Sequence, residues 1–145
     1  MTKIQKAKVT DLEMLYPLFA ELRPQYDLLH FKDLVKHQFK EGYQVMYILD
    51  GKKPVALVGF RTLHQLVSGK TLFIDDMVTA QKHRGKGYGK ALMMWLQGFC
   101  FENNYDHMAV NASFEEVETH RFCLNNGLKI ETIHFGRKVA ELKDV

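Results

Sequence analysis

The chain has 145 residues, a length that suits one domain with one core. Its 46% hydrophobic and 26% charged residues are the balance of an ordinary soluble globular protein, which argues against a disordered chain. A formal net charge of +3 is too mild to imply nucleic acid, and no stretch approaches the roughly 18–20 apolar residues of a membrane span. Residues 1–10, MTKIQKAKVT, lack the apolar core of a secretion signal. Cys100 and Cys123 do not make a disulfide framework. The expectation is a cytoplasmic protein with reduced thiols and neither membrane nor nucleic acid as partner.

In chain order, residues 4–9 read as a short strand. Thr10-Asp11-Leu12-Glu13 has the form of a capping box that opens a helix with Leu12, Leu15, Leu18, Phe19 and Leu22 on its apolar side. Pro17 lies inside this helix and Pro24 follows its end. Residues 31–40 read as a second helix with Phe31, Leu34, Val35 and Phe39 inward. Residues 45–49 and 55–63 are strands around an Asp50-Gly51 turn, and residues 64–70 connect to the next strand. Residues 72–78 form an apolar run broken by Asp75 and Asp76, as suits a strand buried on both faces. A helix follows Gly89 and ends near Asn103-Asn104; it is so apolar that both its sides need cover, which suggests a contact between subunits, a homodimer. Residues 108–110 form a short strand with Asn111 at its end. Residues 115–125 form a helix closed by Asn126-Gly127, and residues 128–139 are mostly extended. Alternating strands and helices with an early hairpin predict an α/β (α+β) fold: one domain over 1–145, a mixed sheet and helices on both faces.

The stretch between strand 72–78 and the helix after it carries the chemistry. Gln81, Lys82, His83 and Arg84 are polar and basic, and Gly85, Gly87 and Gly89 alternate with Lys86 and Tyr88 before Lys90. A helix start leaves backbone N–H groups unpaired and carries a partial positive charge. Glycines let a ligand approach the main chain, and successive N–H groups in such a turn form an anion-binding nest. The stretch reads as a phosphate cradle at a helix N-terminus. It is one residue short of the P-loop spacing and has Ala91 where a magnesium-binding hydroxyl belongs. The dinucleotide fingerprint G-x-G-x-x-G does not match either.

Arg84-Gly85-Lys86-Gly87-Tyr88-Gly89 does match R-x-x-G-x-G, and in this the chain resembles the GNAT superfamily of acyl-CoA-dependent N-acetyltransferases, at its pyrophosphate loop. A second likeness is the H-R-F-x-L-x-x-G frame of His120-Arg121-Phe122-Cys123-Leu124-Asn125-Asn126-Gly127. The tail with Ile133-His134-Phe135 looks most like small-molecule amine acetyltransferases, including the aminoalkylphosphonate type. The resemblance implies the GNAT fold, a twisted sheet of six to seven strands flanked by about four helices. It implies acetyl-CoA as co-substrate and no metal. The cofactor would lie on Arg84, Gly85, Lys86, Gly87, Tyr88, Gly89 and Lys90, with Met77, Val78 and Thr79 bonding the pantetheine arm and Asn111 and Phe122 also in contact. In relatives that strand splays from the next one, here 108–110, to make the slot for the thioester.

The acceptor implied is a small-molecule amine or a lysine side chain that attacks the thioester directly. An amine of pKa about 10.4 sits about three units above neutral pH, so a base should matter. Asp75 and Asp76 are the candidates; strand alternation points them to opposite faces, so one of them is expected at the slot. Asp76 lies where the resembled enzymes often place an acid and is preferred. The bland alternative is a carboxylate satisfied by a neighbouring element. Cys123 stands where most relatives carry the tyrosine taken to protonate the departing thiolate, and a protonated Cys could serve there. Tyr26, Phe31, Arg61, His64 and His30 are acceptor-side candidates by position, with packing as the competing role for the aromatics. His120 and Cys123 are three apart on one helix, but no oxyanion hole or third member supports a nucleophile pair. Two further readings remain. One is a catalytically impaired acyl-CoA-binding sensor, favoured by Cys123. The other is a nucleic-acid scaffold on Lys82 to Lys90, which lacks aromatic stacking modules.

Overall fold

A computed structural model describes residues 3–144. The chain divides into two compact units, Met1–Val110 and Asn111–Val145.

The first unit holds the sheet. Its strands are β1 (Ile4–Lys6), β2 (Gln44–Asp50), β3 (Lys53–Gln65), β4 (Gly69–Thr79) and β5 (His107–Val110), in spatial order β1-β2-β3-β4-β5. The first four pair antiparallel; β4 and β5 run parallel, which needs a crossover, here the helix Tyr88–Glu102. The remaining helices, numbered with it in chain order, are α1 (Leu12–Leu22), α2 (Leu28–Lys40) and, in the second unit, α4 (Val117–Asn125); the crossover is α3. The mixed sheet with helices on both faces is the expected α+β architecture. The strand number is corrected from six or seven to five among the described residues. Residues 128–138, expected to be extended, form no ladder. Ile130, Ile133 and Phe135 are exposed, so no buried face selects a strand register there.

Alternation along the strands divides two apolar layers. Val45, Tyr47, Leu57 and Val78 pack with Leu12, Leu15, Leu18 and Phe19 of α1 and Phe31 and Val35 of α2. On the opposite face Met46, Ile48, Phe60 and Ile74 are buried, as are Leu92, Met93 and Leu96 of α3, which packs on β2, β3 and β4. Phe60 meets Trp95 and Phe99 at ring-centre distances of 6.2 and 5.6 Å. The outer side of α3 leaves Met94 and Phe101 exposed.

Three boundaries differ from the sequence reading for local reasons. At α1, Val9–Asp11 forms a 3-10 turn, and the Asp11 carboxylate, not that of Glu13, accepts from the Lys8 amide at 2.8 Å. At α2, Asp27 accepts from the His30 amide at 2.8 Å, so the helix starts at Leu28 rather than at 31. Leu34, expected inward, is exposed. The β3–β4 hairpin runs on to the pair Gln65↔Gly69, which absorbs most of the expected connection 64–70.

Gly69 closes that hairpin at φ +76°, and the Asp106 carboxylate, which accepts from the Lys70 amide at 2.9 Å, occupies the space a Cβ would need. Gly69→Ala is therefore expected to lower stability by about 2–3 kcal/mol, combining left-handed strain with a broken anchor. Urea unfolding followed by circular dichroism measures it; a loss below about 0.5 kcal/mol would show that the hairpin end relaxes freely.

In the second unit, the Glu116 carboxylate accepts from the Ser113 amide at 2.9 Å ahead of α4. Gly127 closes α4 at φ +86°, with the Leu128 amide on the Cys123 carbonyl at 3.0 Å, the expected cap. Among the described residues no helix is long and apolar enough to cross a membrane.

Candidate active site

β4 outruns its parallel neighbour. The β4–β5 register ends at Ile74↔Val110, while β4 continues to Thr79. Met77, Val78 and Thr79 thus pair with β3 on one side (Val58, Leu57 and Ala56), and β5 pairs with none of them. β5 ends where this edge of β4 begins, so the edge has no strand partner among the described residues.

The chain then turns through a 3-10 turn at Gln81–His83 into the glycine stretch. Gly85 and Gly87 adopt φ +79° and +86°, a region where a Cβ costs about 1–2 kcal/mol. Gly87 is the N-cap of α3 and has no side chain to cap it; the first helical bond runs from Ala91 N to Gly87 O at 3.0 Å. Tyr88, Gly89 and Lys90 therefore open the helix with amides that have no intrahelical acceptor. No atom lies within 4 Å of a Cβ built on Gly85 or Gly87, so the approach is open. Arg84 donates from Nε to the Thr79 carbonyl at 3.2 Å, and Lys86 Nζ lies 3.5 Å from His83 Nδ1. Positive side chains, left-handed glycines and a bare helix start together fit a diphosphate.

The two aspartates lie where β4 breaks its own alternation. Gly59 pairs with Asp76 but Phe60 pairs with Ile74, so Asp75 is an extra residue, a β-bulge. Directly opposed residues share a face of the sheet. Arg61 opposes Phe73 and Gly59 opposes Asp76, so Phe73 and Asp76 share a face although they are three residues apart. Both Asp75 and Asp76 line one cavity of about 280 Å³ under α1 and α2, with Phe19, Arg23, Tyr26 and Tyr43 among its walls. The expectation that the pair splits between faces is thereby corrected.

Each carboxylate has named partners. Asp76 Oδ1 lies 3.2 Å from Arg23 Nη2, and Oδ2 accepts from the Tyr43 hydroxyl at 2.6 Å. Asp75 is paired with Arg61 Nε at 2.8 Å, and its carbonyl accepts from Arg23 at 3.3 Å. The Arg61 guanidinium also lies 5.1 Å from the centre of the Phe73 ring. Burial pushes the Asp75 carboxyl up from its ordinary 3.8, with Arg61 opposing and the Asp76 charge adding. The native state thus holds the Asp75 proton more tightly than the unfolded chain does. Its stabilising contribution is complete below about 3.8 and is lost as pH rises through the raised native value. Asp75→Asn removes that loss, so the melting temperature of the variant should gain on wild type between about pH 3 and 6. Parallel pH-dependent melts that keep a constant gap would refute it.

Of the other acceptor-side candidates, Tyr26 and Phe31 line the cavity and Arg61 stands behind Asp75. The two histidines do not line it: His64 is an exposed residue of the hairpin opposite Lys70, and His30 holds Asp27. Arg23, Tyr43 and Gly59 escaped the sequence reading. Gly59 carried a signal, since a glycine inside the apolar run Val55-Ala56-Leu57-Val58-Gly59-Phe60 marks a bulge or a close approach. Arg23 and Tyr43 carried none.

Asn111, Phe122 and Cys123 belong to the second unit. Asn111 Nδ2 lies 3.4 Å from His134 Nδ1, and Phe122 offers its carbonyl to the Asn126 side chain at 2.7 Å. Cys123 is half-buried and burial raises its thiol, so it keeps its proton at neutral pH. His120 Nε2 is held by the Ser113 carbonyl at 2.7 Å.

Comparison with known proteins agrees with this geometry. Over 126 residues the chain is 27% identical to the uncharacterized N-acetyltransferase YhdJ of Bacillus subtilis (strain 168), covering 86% of this chain and 89% of that one. The fold is similar to that of the aminoglycoside N-acetyltransferase AAC(6')-Iy in complex with CoA, with a TM-score of 0.84 at 17% identity, over 96% of this chain and 95% of that chain. It is also similar to a ribosomal-protein-alanine N-acetyltransferase from Brucella melitensis biovar Abortus 2308, with a TM-score of 0.82 at 19% identity, over 95% of this chain and 99% of that chain. The model of the acetyltransferase (GNAT) family matches residues 7–124. With most of its length matched in this way, the chain belongs to the acetyltransferase (GNAT) family, the N-acetyltransferases whose acyl donor is acetyl-CoA.

Proposed function

We propose that this enzyme transfers the acetyl group of acetyl-CoA to a primary amine, and that the amine attacks the thioester directly. The observation that carries the reading is the sharing of one cavity by Asp75 and Asp76, on the strand that runs on into the glycine cradle. In this reading the amides of Tyr88, Gly89 and Lys90, with Arg84, Gly85, Lys86 and Gly87, hold the diphosphate. Met77, Val78 and Thr79 carry the pantetheine arm on the strand edge that β5 leaves open; Asn111 and Phe122 are added on the family likeness alone.

Asp76 is the base. Arg23 and Tyr43 take one lone pair on each of its oxygens, and each oxygen keeps a second for the amine or a bridging water. Loss of the ammonium proton to Asp76 frees the nitrogen lone pair; the N–C bond forms, the C–S bond breaks, the acylated nitrogen sheds its second proton, and the thiolate takes one. On the family likeness Cys123 supplies the thiolate's proton, its thiol being protonated at neutral pH, and regains one from the proton that the nitrogen releases to water; Asp76 gives its own to solvent. The cavity of about 280 Å³ has room for the reacting end of a small molecule, below the range of whole drug-sized sites. The amine acetyltransferases among the structural relatives, including one solved in complex with sisomicin, support a small amine over a lysine side chain. Exposed Met94 and Phe101 on α3 support a contact between copies of the chain.

The deciding experiment is a thiol-release screen with acetyl-CoA across amine classes, with wild type run beside Cys123→Tyr. Release with at least one amine class is expected. Cys123→Tyr is expected to keep turnover within about tenfold, since the donor is exchanged rather than removed. Acetyl-CoA that raises the melting temperature without thiol release from any amine would favour the sensor instead.

A further inference from the structure

Asp76 is fixed by donors from two separate elements. Arg23 closes α1, and Tyr43 lies in the short link between α2 and β2, its own amide tied to the Gln38 carbonyl at 3.0 Å. To reach Asp76 Oδ2, the Tyr43 phenol lies against β3 at Gly59, the residue paired with Asp76. A Cβ on Gly59 would overlap the hydroxyl and the ring carbon that bears it. The apolar row of β3 thus has a gap one side chain wide, and the phenol fills it. Tyr43 is 5% exposed. Burial first, then the Asp76 and Asp75 charges, push its hydroxyl well above the ordinary tyrosine range, so it remains a donor wherever the protein is folded.

From these contacts we propose that Tyr43, threaded over Gly59, is a positioning residue that aims the Asp76 carboxylate into the acceptor cavity. The proposal rests on Asp76 as the base and adds what sets its readiness. The other titratable groups around Asp76 are Arg23 from α1, Tyr26 beyond its end, Asp75 beside it on β4, and Arg61 of β3, which is engaged on Asp75; α2 contributes the uncharged Gln38. Tyr43 is therefore the neutral donor in the group, and its removal changes no charge.

The test is Tyr43→Phe, which keeps the ring and deletes only the donor. Using an acceptor from the thiol-release screen, kcat should fall about tenfold while KM for acetyl-CoA stays within about twofold. Carbon-13 NMR of labelled aspartate at neutral pH reads the lost hydrogen bond without turnover: the Asp76 carboxylate resonance should move. Gly59→Ala, which displaces the hydroxyl without removing it, should reproduce both the kcat loss and the moved resonance, and carries the test if Tyr43→Phe does not fold. An unmoved carboxylate resonance in a folded variant overturns the coupling, whatever Asp76 does in catalysis. A moved resonance in an enzyme whose Asp76→Asn form is fully active overturns the base reading, and with it any part for Tyr43 in turnover.

Discussion

Gly87→Asp is expected to weaken acetyl-CoA binding by at least about 100-fold while leaving the free protein folded. The substitution separates the two roles of this residue. For the fold, Gly87 is the N-cap of α3 at φ +86°. Aspartate is among the residues that tolerate this region, at a cost of about 1 kcal/mol, and a negative charge at a helix start returns about 0.3–1 kcal/mol. The net cost is below about 1 kcal/mol, so the melting temperature without ligand should fall by less than about 4 °C. For the ligand the change is adverse twice over. The carboxylate competes for the amides of Tyr88, Gly89 and Lys90, and it repels a diphosphate. Two charge-assisted hydrogen bonds at about 1.5–3 kcal/mol each come to at least 3 kcal/mol, or more than 100-fold in Kd. Isothermal titration with acetyl-CoA measures it. An affinity within threefold of wild type would mean that the diphosphate is held elsewhere.

Asp76→Asn is expected to lower kcat at neutral pH by about 100- to 1000-fold, the usual scale for loss of a general base. The variant keeps one acceptor oxygen, for Arg23, and its amide NH2 can donate to the Tyr43 hydroxyl oxygen instead. The Arg23 side chain is 39% exposed, so its unpaired charge should cost no more than about 1 kcal/mol. Binding of acetyl-CoA should be unchanged. The gap to wild type should narrow about tenfold per pH unit as bulk solvent deprotonates the amine, until the pKa of the amine is passed. Stopped-flow or steady-state thiol release from about pH 6 to 10 gives both numbers. A variant within threefold of wild type at neutral pH would remove Asp76 from the chemistry. A gap that stays constant with pH would assign it to substrate orientation instead.

Local chemistry made much of this protein legible in advance. The turn into α3 could be read from residues 84–90 because left-handed glycines, basic side chains and a helix start are all properties of adjacent residues. The order of strands and helices was equally plain, since apolar periodicity reports which elements must bury a face. The end of α4 at Asn126-Gly127 belongs to the same class.

What only the tertiary structure decided depends on partners far apart in the chain. Sequence alternation sends Asp75 and Asp76 to opposite faces; a register shift against β3 overrides it, and that shift exists only once the two strands are paired. Arg23 lies 52 residues from Asp75 and Tyr43 lies 33 residues from Asp76, so no local pattern announces either contact. The phenol can reach the carboxylate because residue 59 has no side chain, a condition that takes effect only when α2, β3 and β4 are packed together. A glycine-rich turn into a helix can be encoded by neighbouring residues because the main chain itself sets its shape. A charged cluster under two helices cannot, because each group is placed by an element that had to fold against the others first.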